Sequence, residues 1–178
     1  VNNSPSIQLA DFVRDVTDFP KPGIIFKDIT PLLSDPTALR ASIDELEKLV
    51  GDRPVDCVVG VEARGFIFGA PLAVRLGVGF VPVRKPGKLP YQTASHEYEL
   101  EYGTDTLEIH VDAVGEGTRV LVVDDLLATG GTVQACCQLI VDQGASVVAC
   151  TFLIDLAFLD GARRLAPHPV LSVLKYEA

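Results

Sequence analysis

Apolar positions along this chain switch between two periods, and the switches divide it into elements. Leu9, Phe12, Val13 and Val16 follow helical spacing behind Ser4-Pro5-Ser6, so the chain is expected to open with a helix. After Pro20-Lys21-Pro22-Gly23, the run Ile24-Ile25-Phe26 reads as a short strand or extended loop. Asp35-Pro36 is an N-cap followed by proline at the first helical position, and Leu39, Ile43, Leu46 and Val50 line one face of the helix behind it, up to Gly51. Residues 55–61 are nearly all apolar, the mark of a strand buried on both faces. Residues 65–76 fit a helix and 78–83 a second buried strand.

The middle of the chain changes character. Residues 84–96 have little periodicity and carry Pro86 and Pro90, so a long loop is expected there. Residues 96–102 and 106–111 alternate polar and apolar positions around Gly103-Thr104-Asp105, which predicts an antiparallel hairpin. A strand at 119–123 follows, then a helix with Val133, Cys136, Cys137 and Ile140 on one face. A strand at 147–154, a short helix at 156–165 and a strand at 169–174 complete the chain. Strand and helix alternating at this spacing predict an α/β fold: a mainly parallel, twisted sheet with helices on both faces. Such sheets bind ligands at the carboxyl ends of their strands.

Composition narrows the class. With 178 residues, 48% apolar and 22% charged, the chain is an ordinary globular one and excludes disordered and low-complexity classes. Fifteen Lys and Arg against twenty-four Asp and Glu give a net charge of −9, which argues against a general nucleic-acid binder. The charge is sorted, however. Residues 63–92 hold five basic side chains and no acid, and residues 93–118 hold seven acids and no Lys or Arg. A local basic stretch can set the field for an anionic small molecule inside an acidic protein. The uncharged run 126–141 is broken by Thr129-Gly130-Gly131-Thr132, so no bilayer span is expected, and no secretion-type leader is visible. Cys57, Cys136, Cys137 and Cys150 show no CxxC and no Cys/His metal spacing; reduced thiols and a cytoplasmic setting are expected.

The most informative segment is Val120-Leu121-Val122-Val123-Asp124-Asp125-Leu126-Leu127-Ala128-Thr129-Gly130-Gly131-Thr132. An apolar strand ends in two acids, and a small glycine-rich loop opens a helix. Backbone N–H groups of residues 128–132 and the helix N-terminus can cradle a monophosphate, with Thr129 and Thr132 hydroxyls as further donors. Carboxylates repel phosphate but accept hydrogen bonds from the hydroxyls of an attached ribose; the plainer alternative is that Asp124 and Asp125 cap the helix. No GxxxxGK[ST] and no complete GxGxxG occurs. There is no GxSxG either, and no Cys or His in triad spacing.

This segment resembles the signature of the type I phosphoribosyltransferases. Four more segments resemble the adenine-using branch of that family: Phe19-Pro20-Lys21-Pro22-Gly23-Ile24-Ile25-Phe26-Lys27-Asp28-Ile29, Glu62-Ala63-Arg64-Gly65-Phe66-Ile67-Phe68-Gly69, Arg84-Lys85-Pro86-Gly87-Lys88-Leu89-Pro90 and Leu100-Glu101-Tyr102-Gly103. The resemblance implies one phosphoribosyltransferase domain over 1–178, with a hood region at 1–34 and a flexible loop and hairpin at 84–111. It implies that Ala128, Thr129, Gly130, Gly131 and Thr132 hold the 5-phosphate of phosphoribosyl pyrophosphate and that Asp124 and Asp125 hold its ribose. By the same resemblance, Arg64, Lys85 and Lys88 meet the pyrophosphate, Glu101 is the general acid/base at the purine N7, and Tyr102 lies beside it. Ile24, Ile25, Phe26, Lys27 and Leu156 would frame adenine. Pro86 stands where the family often has a third basic residue, and Lys27 where Arg is common.

Each assignment has a plainer alternative: a surface arginine for Arg64, a solvated strand face for Glu97, Glu99 and Glu101, and core packing for the apolar residues. The implied reaction gives AMP and pyrophosphate, with Mg2+ carried by the substrate rather than by a protein cage, and a homodimer is implied. Transfer to hypoxanthine, guanine or xanthine, or a non-catalytic regulator that binds phosphoribosyl pyrophosphate, are the competing readings.

Overall fold

The computed structural model describes residues 7–99 and 103–178. The chain forms two compact units, Val1–Glu45 and Leu46–Ala178. In the first, a 3₁₀ turn at Leu9–Phe12 leads into β1 (Arg14–Thr17), which pairs antiparallel with β2 (Ile25–Asp28). The helix expected over residues 9–16 is therefore confined to its first turn, and Ser4-Pro5-Ser6 lies outside the described residues. The reason lies across the sheet. Arg14 donates from Nε and Nη2 to Asp28 Oδ2 at 3.0 and 2.5 Å, and Lys27 Nζ donates to Asp15 Oδ1 at 2.7 Å. Paired strands supply those partners, and β-branched Val13, Val16 and Thr17 suit an extended backbone. Asp28 Oδ1 also accepts the Thr30 N–H at 2.9 Å, where α1 (Thr30–Ser34) starts. Helix α2 (Pro36–Val50) begins as its sequence predicts: Asp35 Oδ1 accepts the N–H groups of Thr37 and Ala38 at 2.9 and 2.8 Å. It ends at Gly51, whose φ of +57° is left-handed.

In the second unit, β3 (Cys57–Val61), β4 (Gly79–Val83), β7 (Arg119–Leu127), β8 (Ser146–Leu156) and β9 (Val170–Tyr176) form a parallel sheet in the order β4-β3-β7-β8-β9. Helix α3 (Gly65–Leu76) follows β3 and α4 (Gly131–Asp142) follows β7. A separate antiparallel hairpin joins β5 (Thr93–Glu99) to β6 (Thr104–His110), so the irregular stretch is shorter than expected and ends before Thr93.

Val59, Val61, Val120 and Val122 share one core with Cys136, Cys137 and Ile140 of α4 and Leu107 and Ile109 of the hairpin. Strand alternation sends Gly60 to the opposite face. There a Cβ would lie 2.6 Å from the Phe80 ring and 3.2 Å from Phe66 of α3, so this glycine lets the helix close on the sheet. The predicted helices on both faces are present.

Three further expectations need correction. Strand β4 is an edge strand with only Val83 buried; Pro82 is tolerated because an edge strand has one hydrogen-bonding neighbour to satisfy. Strand β7 does not stop at Val123 but carries the acids within it as far as Leu127, because β8 pairs alongside, Leu126 opposite Ile154 and Leu127 opposite Asp155. The helix expected at 156–165 splits into a 3₁₀ turn (Ala157–Leu159) and the one-turn α5 (Gly161–Arg164), because Asp160 between them takes a left-handed φ of +55°. All four cysteines are free and buried, with Cys137 and Cys150 sulfurs 3.5 Å apart.

Candidate active site

The second unit carries a cavity of about 410 Å³ where β3 and β7 leave the sheet. Glu62, Ala63 and Arg64 from the end of β3, Lys85, and the continuous run from Asp124 to Val133 line it. The Glu62–Ala63 peptide is cis, a feature without a sequence signal.

The glycine-rich segment 128–131 joins β7 to α4. Gly130 takes φ +81°, which favours glycine, and α4 starts at Gly131 with no side chain capping it among the described residues. Its first N–H groups and positive dipole end are thereby able to meet an anion. Gly65 is a point of close approach between helix and strand. A Cβ there would lie 2.7 Å from the Val123 carbonyl oxygen and 3.1 Å from Asp124 Oδ1, so glycine lets α3 start directly against β7.

The two acids are unequal. Asp125 is 3% exposed, and its Oδ2 accepts no hydrogen bond among the described residues, although Arg64 Nε stands 3.0 Å away as an ion pair. Its backbone N–H donates to Asp124 Oδ1 at 2.9 Å. Burial pushes both carboxyls above the ordinary carboxylate range. The neighbouring Asp125 charge pushes Asp124 further, whereas Arg64 pulls Asp125 back. Such a pair gains from any hydroxyl donor or cation brought to it.

Sequence reading missed Glu62, which organises the basic loop. Its carboxylate accepts from Lys88 Nζ at 2.5 Å, the Lys85 N–H at 3.0 Å, and Arg84 Nε and Nη2 at 3.2 and 3.3 Å. Burial raises its pKa, but these donors outweigh burial and bring it down to about 2. Tyr98 was missed as well. Its hydroxyl is 3.3 Å from Lys85 Nζ, 3.3 Å from Asp105 Oδ2 and 3.4 Å from Thr132 Oγ1, tying the hairpin to the loop. Lys85 also pairs with Asp105; burial works against its charge, but these bonds hold its pKa above the ordinary value. The acids facing 84–88 thus come from distant positions, which spacing within the loop could not reveal.

The structure brings Arg64, Lys85, Asp124, Asp125 and the loop 128–132 to one cavity, whereas Lys88 is turned to Glu62. Ile24, Ile25, Phe26 and Lys27 belong to the first unit: Ile25 is 54% exposed, Phe26 stacks edge-on against Phe19 at 5.1 Å, and Lys27 is buried against Asp15. Leu156 is buried at the end of β8, next to Asp155, whose Oδ1 has no hydrogen-bond partner among the described residues. Glu101 and Tyr102 lie outside the described residues. Among the described residues no group of three or more His, Cys, Asp or Glu could hold a metal ion, and no helix is long and apolar enough to cross a membrane.

A parallel sheet with an acidic pair and a glycine-rich anion loop at its carboxyl edge defines a phosphoribosyl-transferring class, and residues 29–174 match the phosphoribosyl transferase domain model. The chain is 58% identical over 170 residues to an adenine phosphoribosyltransferase of Rhodopirellula baltica, covering 96% of this chain and 82% of the relative. It superposes on the crystal structure of adenine phosphoribosyltransferase from Thermoanaerobacter pseudethanolicus with a TM-score of 0.92 at 56% identity, covering 94% of this chain and 98% of that one. The Saccharomyces cerevisiae enzyme, solved with an imino-altritol bisphosphate and adenine, gives 0.87 at 40% identity over 92% of this chain and 95% of that one. The chain belongs to the phosphoribosyltransferase family and, within it, to the adenine phosphoribosyltransferases.

Proposed function

We propose that this protein transfers the 5-phosphoribosyl group of phosphoribosyl pyrophosphate to adenine, giving AMP and pyrophosphate. The observation that carries the reading is the single cavity in which the Thr129-Gly130-Gly131-Thr132 loop, the Asp124–Asp125 pair, Arg64 and Lys85 converge. The loop N–H groups and the α4 dipole take the 5-phosphate. Asp124 and Asp125 accept the ribose hydroxyls, and Arg64 and Lys85, with Lys88 released from Glu62, neutralise the leaving pyrophosphate. The C1–oxygen bond to pyrophosphate breaks and a C1–nitrogen bond to the purine forms. The sugar becomes cationic between them, so two nearby carboxylates stabilise it electrostatically. Glu101 moves the proton at the purine N7, Tyr102 supports it, and Ile24, Ile25, Phe26, Lys27 and Leu156 frame the base.

Mg2+ fits the donor set as an ion borne by the substrate. Two carboxylates, one with an oxygen that accepts no hydrogen bond among the described residues, suit a hard cation that keeps its waters and phosphate oxygens. It would stay on the substrate, with Asp124 and Asp125 facing it rather than caging it, and it would offset pyrophosphate charge. A second copy of this chain is the natural partner: α3 presents Ile67, Ala70, Pro71 and Val74 on one side, with Val74 81% exposed. Four free buried thiols suit a reducing cytoplasm.

Pyrophosphate release measured in parallel with adenine, hypoxanthine, guanine and xanthine tests the reaction. Release with adenine above the other three is expected; preference for another base would refute the base assignment, and no release with any base would refute catalysis.

A further inference from the structure

The turn that follows β8 lies against the phosphate loop more closely than any side chain would allow. A Cβ on Gly161 would sit 2.1 Å from the carbonyl oxygen of Ala128 and 3.0 Å from Leu127 Cδ1, and Cβ atoms essentially never approach within 3.0 Å of another heavy atom. The contact is reciprocal, since a Cβ on Gly130 would lie 2.8 Å from the Gly161 carbonyl oxygen. Gly161 opens α5 in ordinary right-handed helix, so close approach, not conformation, is what demands glycine there. Arg164, at the end of the same turn, donates from Nε to Gln134 Oε1 in the first turn of α4 at 2.7 Å. Its guanidinium Nη1 lies 3.3 Å from where a Cβ on Gly131 would be. The sheet explains how these segments meet. β7 and β8 are parallel neighbours with Leu127 opposite Asp155, so both chains leave the sheet at the same edge. Asp160, at φ +55°, then turns the second chain onto the first.

We infer that Gly161 and Arg164 are positioning residues for the 5-phosphate site: they mould the backbone of residues 128–131 from behind, so that its N–H groups are set before substrate arrives. The inference rests on the phosphate-loop reading above. Preset donors bind an anion without reorganising, whereas a loop displaced by a fraction of an ångström loses much of that advantage. Enlarging Gly161 must push the Ala128 carbonyl away and carry the loop with it. Removing the Arg164 guanidinium loosens the start of α4 without a clash.

The test compares dissociation constants for AMP and adenosine, which differ by the 5-phosphate, in wild type, Gly161→Ala, Arg164→Ala and a control, Arg163→Ala, whose side chain is 85% exposed. Wild type and the control should prefer AMP strongly. Gly161→Ala should lower that preference about tenfold with adenosine binding nearly unchanged, and Arg164→Ala should lower it about threefold. In kinetics the KM for phosphoribosyl pyrophosphate should rise more than kcat falls. A merely structural role would weaken both ligands alike. If Gly161→Ala does not fold, Arg164→Ala carries the test. An AMP-to-adenosine ratio unchanged in the folded variants would overturn the inference while leaving the phosphate-loop reading intact. A wild type that does not distinguish AMP from adenosine would overturn that reading and the inference with it.

Discussion

Asp124 and Asp125, the proposed ribose acceptors, show how buried acids can be held at the expense of stability. Burial and mutual repulsion lift the Asp124 carboxyl well above the 3.8 it has in the unfolded chain. Below that value the group is protonated in both states and imposes no penalty. As pH rises through 3.8 the unfolded chain gives up its proton first, so the folded state is disfavoured, and the penalty is complete once the folded pKa is passed. Asp124→Asn is therefore expected to stabilise the protein by about 1 kcal/mol at neutral pH. The gain should shrink as pH falls toward the ordinary carboxylate range, while affinity for phosphoribosyl pyrophosphate drops about tenfold or more. Thermal melts across pH, paired with titration calorimetry, check both halves. A variant that is less stable at neutral pH, or that binds as tightly as wild type, would contradict this account of the pair. Glu62 is the opposite case: its donors hold it ionised, so its contribution is present above the ordinary 4.5 and is lost only as pH falls toward 2.

Local signals were readable where a few adjacent residues decide an element. The Asp35-Pro36 start of α2 is the clearest example, because the cap and the groups it satisfies lie within three positions of each other. Asp35→Ala should lower stability by about 1 kcal/mol in urea unfolding, with Asp35→Ser recovering most of it. An unaltered midpoint for Asp35→Ala would show that packing alone defines that helix start. Elements that depend on partners were read less well. Residues 9–16 carry a helical period, yet Arg14 and Asp15 become a strand because Asp28 and Lys27 wait across the turn. β7 runs through the acids because β8 continues beside it. The site shows the same division: the loop 128–132 and its acids were legible as one segment, whereas Glu62, Tyr98 and Gly161 acquire their roles from contacts with distant residues.

For the whole molecule, the sorted charge is also a folded balance. Each of the five basic residues between 63 and 92 meets an acid from outside that stretch: Arg64 with Asp125, Arg75 with Glu47, Arg84 and Lys88 with Glu62, and Lys85 with Asp105. On the proposed reading, an incoming pyrophosphate would join or displace existing partners instead of meeting a bare positive patch. The proposed pairing of two chains through α3 makes its own prediction. Wild type should sediment at about twice its 19.1 kDa mass, and Val74→Glu should shift the equilibrium toward monomer. A wild type that sediments as monomer would remove the proposed dimer.

The sequence by itself determined what nearest neighbours and periodicity control: the alternation of strands and helices, the capped start of α2, the glycine loop with its two acids, and the family resemblance they carry. Tertiary structure alone decided which acids restrain the basic loop, where β7 ends, and why Gly161 has no side chain. Those outcomes depend on backbones and charges brought together from separate parts of the chain, and no local pattern encodes the distance between them.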